Sequence, residues 1–427
     1  MRRDIRPEII GCLRVSGSWE EDLRSLRSVA ARDWEGCFDW LHLSGIALAF
    51  WNRLQQSGAE DAVPRPVGAA LAACLADHIR RIVAMREEFD SLNRRFESAG
   101  IEYAAWKGLS LIPEYCPEAC LRPSYDYDYL ISGEAWEDAQ KLLQTAGYAC
   151  KPDPGTRARL TFAPRLAPPG LSCSPRGLYA ENLPRKVELH LSPWDGEALR
   201  IRMRVPERPL DRRIRRSWKG STFYSLGPQD TFVFQVLHAF QHILHDWCRL
   251  GWLLDIAYFL ENRSTDSSFW QELNASLDDH EPLTEAVALV LSLAARLFQA
   301  ALPAPIKDQV LRAMEGRLAL WVEHYGIRSA LGNFSQNKYA LFLYREFVRN
   351  ETDWQEIRRK KLLPLHKPNR LAGSASPASP GFLPGIGAQA EYIMRRLVHH
   401  LVTGAGYSWE SARWNHWRRL SADRVPR

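Results

Sequence analysis

The sequence predicts an α+β protein in which a small mixed sheet is embedded in a mainly helical chain. Helical spacing of apolar residues dominates residues 1–98, strand and helix patterns alternate over 99–225, and helical patterns return from 226 onwards. The 427 residues suffice for two or three domains. We therefore expect an N-terminal helical region (1–98), an α/β core (99–225), a helical domain (226–364), and a linker with a C-terminal helical tail (365–427).

Composition is that of an ordinary globular protein, with 46% apolar and 25% charged residues. The formal net charge of +6 is a mild bias that identifies no partner. The most apolar long run begins at Ala286, is interrupted by Arg296 and is short for a bilayer span, so we expect a buried helix and no membrane association. Eight cysteines without a CxxC pair, and a start without a secretory signal, predict a cytoplasmic protein.

Outside the core, the clearest early helix is predicted over residues 67–98, which have helical apolar spacing and no internal proline. Ala99-Gly100 ends it. A second long helix is expected to begin at Gly227-Pro228, and helical patterns continue to about Lys361. Residues 371–387 are rich in serine, proline, glycine and alanine, which predicts a linker or surface loop before the final helix.

The α/β core is predicted from three stretches with strand character: "IEYAAW" from Ile101, "YDYDYLI" from Tyr125 and "KVELHLS" from Lys186. An amphipathic helix that stops at Gly147 lies between the last two. Residues 151–185 are rich in proline and arginine, and we expect a long loop or an irregular hairpin there.

Two acids alternate with tyrosines in the middle strand. Side chains two apart in a strand point to the same face, so Asp126 and Asp128 share one face, while Tyr125, Tyr127 and Tyr129 share the other. Adjacent carboxylates repel each other unless a cation lies between them, and Mg²⁺ prefers oxygen ligands. A bare Asp-x-Asp also occurs on half-exposed strands whose acids face water, so the pair alone leaves both interpretations open.

Three further features favour the metal interpretation. Glu188, on the later strand, offers a third carboxylate. Lys107-Gly108 stands between a strand and a predicted helix start, where backbone amides and a lysine attract phosphate. Arg122 precedes the aspartates by four residues and is a second candidate phosphate contact. The ordered combination meets the needs of metal-assisted nucleotidyl transfer, in which two ions roughly 4 Å apart activate the attacking oxygen and neutralise the leaving pyrophosphate.

These motifs also resemble a known family. The segments "WKGLSL", "LRPSYDYDYLI", "VELHLS", "LGPQDTFVFQVLHAFQH" and "RLGWLLDIA" are similar to the bacterial uncharacterised nucleotidyltransferase family of the DNA polymerase beta-like superfamily, over roughly residues 67–260. The resemblance implies a nucleotidyltransferase-type sheet and an NTP substrate. It also implies Mg²⁺ (or Mn²⁺) as the cofactor.

The resemblance assigns roles to individual residues. Asp126 and Asp128 would be metal ligands, and Glu188 the third carboxylate. Lys107 and Gly108 fall where the superfamily more usually has a Gly-Ser phosphate turn. The candidate nucleotide contacts are Lys107, Gly108, Ser110 and Arg122.

Histidines on the following helix are a separate feature. His238 and His242 lie four apart on one helix face, but Ala239 stands where a metalloprotease has its glutamate, which argues against that class. The residues alone favour histidines that pack the helix against the α/β unit. The resemblance implies that these helices wall the pocket, which makes His190, His238 and His242 candidate substrate contacts.

Residues 200–219 hold nine basic residues and two acids. Such a stretch attracts triphosphate, RNA or another acidic substrate, or it forms a solvated basic loop. Trp218 is its single aromatic residue, so base stacking is unsupported.

The leading hypothesis is a metal-dependent nucleotidyltransferase that moves an NMP group from an NTP to an unidentified acceptor, a small molecule or peptide in preference to RNA. The alternative is a non-catalytic accessory protein of the same fold that binds a nucleotide, peptide or RNA. A related phosphotransferase is a third hypothesis, which the product, ADP instead of pyrophosphate, would distinguish.

Overall fold

A computed structural model describes residues 3–151, 158–165, 175–277, 281–332, 338–362 and 384–422. Helices occupy nearly all of the chain that precedes the sheet. They are α1 (Arg6–Gly11), α2 (Glu20–Arg27), α3 (Ala31–Leu43), α4 (Ala47–Gln56) and α5 (Arg65–Ser98). The last of these confirms the long helix expected over 67–98. It ends where Gly100 adopts a positive φ of 67°, a conformation that glycine tolerates at helix ends.

One mixed sheet forms the centre of the chain. Its strands are β1 (Tyr103–Ala105), β2 (Asp126–Ile131), β3 (Tyr148–Lys151), β4 (Arg159–Pro164), β5 (Lys186–His190), β6 (Ile214–Trp218) and β7 (Ser221–Ser225). The spatial order is β3-β4-β5-β2-β1-β7-β6. β2 pairs with β5 in parallel and with β1 antiparallel, while β1 pairs with β7 in parallel. Two short helices, α6 (Trp136–Thr145) and α7 (Gly196–Leu199), connect strands of this sheet.

The segment expected to be a loop or irregular hairpin contains β4, which pairs antiparallel with both β3 and β5. Phe162 of β4 is fully buried, and its burial stabilises this strand. The proline residues of the segment interrupt the alternating pattern by which a strand is recognised in the sequence. Residues 152–157 and 166–174 of the same segment lie outside the described ranges, as does most of the predicted linker at 371–387.

Helices make up most of the described chain after the sheet. They are α8 (Pro228–Leu244), α9 (Leu250–Asn262), α10 (Ser267–Leu277), α11 (Glu281–Phe298), α12 (Ala304–Ala313), α13 (Arg317–Trp321), α14 (Ile327–Gly332), α15 (Ala340–Phe347), α16 (Glu351–Leu362) and α17 (Pro384–Ala422). α8 begins at Pro228, directly after Gly227, as the sequence predicts. The expected architecture, a small mixed sheet in a mainly helical α+β protein, is confirmed.

Two large apolar clusters hold these layers together. One joins α5 and α6 to the sheet, and the other joins the first helices to those that follow the sheet. Phe89 of α5 stacks on Tyr129 of β2 with ring centroids 6.1 Å apart, and Phe96 meets the same tyrosine ring edge-on at 5.0 Å. One face of β2 is therefore fixed in the core, which leaves its other face to the acids. Within the described ranges, no helix combines the length and the apolar character needed to cross a membrane.

Candidate active site

Four polar side chains share one face of two adjacent strands. β2 and β5 run parallel, and their register places Asp128 directly beside Glu188. Asp126 lies two residues before Asp128, and His190 lies two residues after Glu188, so strand alternation brings all four to the same face. The structure brings Asp128 and Glu188 together with His190, and it places Asp126 on the same face.

The opposite face of β2 explains why the acids point as they do. Tyr127 and Tyr129 are buried there against α5. The hydroxyl of Tyr127 donates to Oε2 of Glu88 at 2.7 Å, and the same carboxylate accepts a hydrogen bond from Tyr148 at 2.6 Å. A slip by one residue would bury both aspartates in this core, so the register of β2 is strongly specified.

Lys107 lies beside the acids. Trp106 extends β1 through a hydrogen bond to the carbonyl of Asp128, and Lys107 follows it. Nζ of Lys107 is 2.7 Å from Oδ1 of Asp128, and Nε2 of His190 is 3.0 Å from the same oxygen. Lys107 also lies 4.2 Å from the ring centre of Trp106. The lysine predicted to contact phosphate is thus an ion-pair partner of a predicted metal ligand.

The turn after Lys107 is shorter than expected. Gly108–Leu111 forms a single 3₁₀ turn, so the backbone dipoles of a longer helix are missing at this point. Gly108 has a positive φ of 62°, which explains the glycine. Ser110 is buried, and its hydroxyl donates to the carbonyl of Lys107 at 3.0 Å. Any phosphate contact at this turn depends on Lys107 and on a few backbone amides.

The pKa values of Asp126 and Asp128 shift in opposite directions. Burial, together with the carboxylates of Asp128 and Glu188, raises the pKa of Asp126 to about 7. Burial also disfavours ionisation of Asp128, but the ammonium of Lys107 and the hydrogen bond from His190 outweigh it and hold the pKa of Asp128 well below its ordinary value. Asp128 is therefore ionised beside Lys107, whereas Asp126 takes up a proton near neutral pH.

Arg122 contacts a carboxylate of α9. Its Nε donates to Oδ2 of Asp255 at 2.8 Å, and both side chains are almost fully buried. Burial raises the pKa of Asp255 to about 6, although Arg122 opposes that shift. The segment that contains Arg122 is held from α5 as well, because Nε2 of His78 contacts the Arg122 carbonyl at 3.1 Å. The structure thus places this predicted phosphate contact in a buried ion pair.

A cavity of about 220 Å³ opens beside the acid face. The three histidines predicted as substrate contacts, His190, His238 and His242, all line it, together with Trp106 and Lys107. Burial lowers the pKa of all three imidazoles, most strongly for His238 and His242, so these rings are neutral at pH 7. A neutral imidazole both donates and accepts hydrogen bonds, which suits a polar ligand.

His238 and His242 belong to α8, and a hydrogen bond to the sheet holds this helix beside the cavity. Nε2 of Gln235 donates to the carbonyl of Trp106 at 2.8 Å, and both residues are buried. His238 follows Gln235 by three residues and His242 by seven, which places all three on one helical face.

Sequence reasoning did not find Trp106, Arg159 or Gln235 as parts of the site. Arg159 of β4 lines the cavity, and its Nη1 is 3.7 Å from Oε2 of Glu188. It lies in the segment expected to be a long loop or an irregular hairpin, where the residue pattern did not indicate a strand. Trp106 directly precedes the predicted phosphate contacts Lys107 and Gly108, and this position in the sequence could have indicated that it belongs to the site.

The arginine-rich stretch is largely engaged within the protein. Arg212 makes two hydrogen bonds to Asp230 at 2.8 and 3.0 Å, and Arg216 donates to the carbonyl of Ile112 at 2.9 Å. Lys219 pairs with Glu118 at 3.0 Å. These contacts give the stretch a structural role in joining β6 to its surroundings.

Asp128, Glu188 and His190 form a group suited to a metal ion. One ligand atom from each lies within 4.8 Å of the others, and Asp128 and His190 are buried. The donor chemistry fits a divalent cation, because two carboxylate oxygens and an imidazole nitrogen are ligands that such cations bind.

Comparison with known protein families gives a match to "Uncharacterised nucleotidyltransferase" over residues 30–299. The matched range contains the whole sheet, α8 and α9, and every residue described at this site. The comparisons with curated proteins and with solved structures found no match. The family match covers more than half of the chain and confirms the resemblance of the motifs, so this chain belongs to the uncharacterised nucleotidyltransferase family.

Proposed function

We propose that the protein transfers a nucleoside monophosphate from an NTP to a small acceptor, with Mg²⁺ or Mn²⁺ held at the acid face of β2 and β5. The observation that carries this proposal is the parallel register that sets Asp128 beside Glu188 on the face shared with Asp126. Family membership supplies the general reaction and a nucleotide as substrate. The cation, the donor and the acceptor site are our inferences from the geometry.

Asp126, Asp128 and Glu188 would hold the cation, which when bound neutralises phosphate charge and activates the attacking oxygen. Lys107 has a second task in this scheme. Its ammonium is a flexible point charge, and its side chain is 14% exposed, so it is placed to exchange Asp128 for a phosphate of the bound NTP.

The acceptor would occupy the cavity walled by His190, His238 and His242. A volume of about 220 Å³ suits a small molecule or the end of a peptide, which is consistent with the preference for such acceptors over RNA. The cavity touches both Lys107 and His190, which in turn contact Asp128. A hydroxyl or amine held there would lie next to the acids.

In the reaction, the acceptor oxygen or nitrogen forms a bond to the α-phosphorus of the NTP. The bond from that phosphorus to the bridging oxygen breaks, and pyrophosphate leaves. The acceptor's proton passes to water or to Glu188, which is half-buried beside His190 of the cavity wall.

One observation favours a second candidate, a non-catalytic nucleotide-binding protein. Oδ1 of Asp128 already contacts the ammonium of Lys107 and the imidazole of His190. The lysine already balances the charge of this aspartate without a metal ion, as it would in a site that binds but does not transfer.

The deciding experiment is pyrophosphate release from each of the four NTPs, with Mg²⁺ or Mn²⁺, across a panel of small acceptors and peptides. The double variant Asp126→Asn with Asp128→Asn should lower turnover by at least roughly 10³-fold, because several kcal/mol of charge stabilisation is lost. Folding should persist, since the change relieves repulsion between Asp126 and its neighbours.

The matched control is Asp138→Asn, an exposed aspartate of α6 that pairs with Lys141. Its turnover should equal that of the wild type. Unchanged turnover in the double variant would remove the metal mechanism. NTP binding by calorimetry with no product from any acceptor would favour the non-catalytic candidate.

A further inference from the structure

His190 distinguishes this site from a metal centre that is made of carboxylates alone. It alternates with Glu188 on β5 and faces Asp128 across the parallel pairing with β2. Its Nε2 atom is 3.0 Å from Oδ1 of Asp128 and 3.7 Å from Oε2 of Glu188. One imidazole nitrogen therefore lies within 3.7 Å of two carboxylate oxygens, and all three atoms are possible metal ligands.

Contacts with its neighbours fix the position of this imidazole ring. His190 is 5% exposed, and its ring meets the ring of Trp106 edge-on at 5.2 Å with an interplanar angle of 89°. Lys107 places its ammonium against the carboxylate oxygen that Nε2 of His190 also contacts. A metal ion bound through Nε2 would replace the hydrogen bond of this nitrogen to Asp128.

The carboxylates have capacity left for a cation. Oδ1 of Asp128 takes both the Lys107 and the His190 contacts, while among the described residues Oδ2 accepts no hydrogen bond. Asp126 is not a member of the three-residue group whose ligand atoms lie within 4.8 Å of one another. The tightest group of donors is thus two oxygens and one nitrogen.

We propose that His190 is a direct metal ligand, and that with Asp128 and Glu188 it forms a site that prefers Mn²⁺ to Mg²⁺. Mg²⁺ binds oxygen ligands and keeps several waters, whereas imidazole suits first-row transition metals and carboxylates suit Mn²⁺. This inference rests on the proposed function for the role of the metal in the reaction. Metal binding itself can be measured without nucleotide or acceptor.

The competing explanation is that His190 only orients Asp128 through a hydrogen bond, as residues around metal ligands often do. The two explanations differ in one observable. A directly bound histidine nitrogen gives a ¹⁴N coupling in the pulsed EPR spectrum of bound Mn²⁺, and a histidine that only orients a carboxylate does not.

The experiment loads the full-length protein with Mn²⁺ alone and records this coupling, together with Mn²⁺ and Mg²⁺ affinities by calorimetry. His190→Gln retains an amide that can donate to Asp128 but removes the nitrogen ligand. His238→Gln is the matched control, because it changes a histidine of the same cavity that stands outside the donor group.

We expect the coupling in the wild type and in His238→Gln, its loss in His190→Gln, and a roughly tenfold fall in the Mn²⁺-to-Mg²⁺ affinity ratio in His190→Gln. Mn²⁺ binding without a ¹⁴N coupling in the wild type overturns the inference, and that result needs no variant to fold. If pyrophosphate release with Mg²⁺ persists in that case, the proposed function stands while this inference falls. Absence of all metal binding overturns both.

Discussion

Nζ of Lys107 lies 2.7 Å from Oδ1 of Asp128, and the two side chains are 14% and 3% exposed. The pair joins the turn after β1 to the acid strand β2 and satisfies part of the charge that the neighbouring carboxylates create. A cation is therefore already present at the site when no metal is bound, and metal binding must compete with it.

The competition predicts the effect of Lys107→Met. Removing the ammonium should raise the affinity of the protein for Mg²⁺ and Mn²⁺, on the order of tenfold, because the divalent ion no longer meets a positive charge beside Asp128. NTP affinity should fall in the same variant if the ammonium also contacts phosphate. Calorimetry with the metal alone, and then with NTP, measures the two effects separately.

Lys219→Met serves as the control for that variant, since Lys219 pairs with Glu118 at the surface, with both side chains more than half exposed. It should leave metal affinity unchanged. Metal affinity that is equal or weaker in Lys107→Met would contradict the competition.

The buried pair of Arg122 and Asp255 predicts a non-additive double variant. Arg122→Met or Asp255→Leu alone should each cost about 3–5 kcal/mol of unfolding free energy, because each leaves one buried charge without its partner. Combining the two should recover most of that loss. Urea unfolding of all four proteins gives the coupling energy.

NTP affinity in the double variant separates two roles of Arg122. If the residue only holds β2 to α9, NTP affinity returns with stability. If it also contacts phosphate, as the sequence predicts, stability returns and NTP affinity does not. Additive stability effects would show that the pair contributes little.

Two tyrosines on the same face of β2 should respond oppositely to loss of their hydroxyls. Tyr127 donates toward Glu88 and the Met85 carbonyl, whereas the buried hydroxyl of Tyr129 has no partner among the described residues. Tyr127→Phe should cost about 1–3 kcal/mol, and Tyr129→Phe should be neutral or stabilising by about 1 kcal/mol. Thermal and urea unfolding test this pair, and equal losses in both would refute it.

Acid should destabilise the fold in part through His78. This histidine is fully buried, and burial lowers its pKa from 6.5 to about 4. Between those values the unfolded chain binds a proton that the folded chain does not, so stability falls as pH drops from about 6.5 to 4 and is unaffected by this group at higher pH. The full effect is about 3 kcal/mol.

The measurement compares unfolding free energies at pH 7 and pH 4.5. His78→Gln can still donate to the Arg122 carbonyl but does not titrate, so its loss between the two pH values should be smaller than that of the wild type. His416→Gln, at an exposed histidine of α17, should behave like the wild type. An identical pH dependence in all three proteins would exclude His78 as the cause.

Local patterns in the sequence determined much of this fold. The alternation of Asp126 and Asp128 with tyrosines indicates a strand with one acid face and one apolar face, and helical spacing with a glycine at position 100 indicates the long helix before it. These features could be predicted because they depend on residues within a few positions of each other, where strand and helix periods set which side chains share a face.

Tertiary structure decided which residues meet. The pairing of Asp128 with Glu188 requires β5 to return beside β2 in a register that no local pattern specifies. The contact between Arg122 and Asp255 joins residues 133 positions apart in the sequence. The ion pair between Lys107 and Asp128 depends on the pairing of β1 with β2. Such contacts arise from the packing of the sheet against α5 and α8, so a predicted phosphate-binding arginine lies in a buried ion pair while His190 joins the acids.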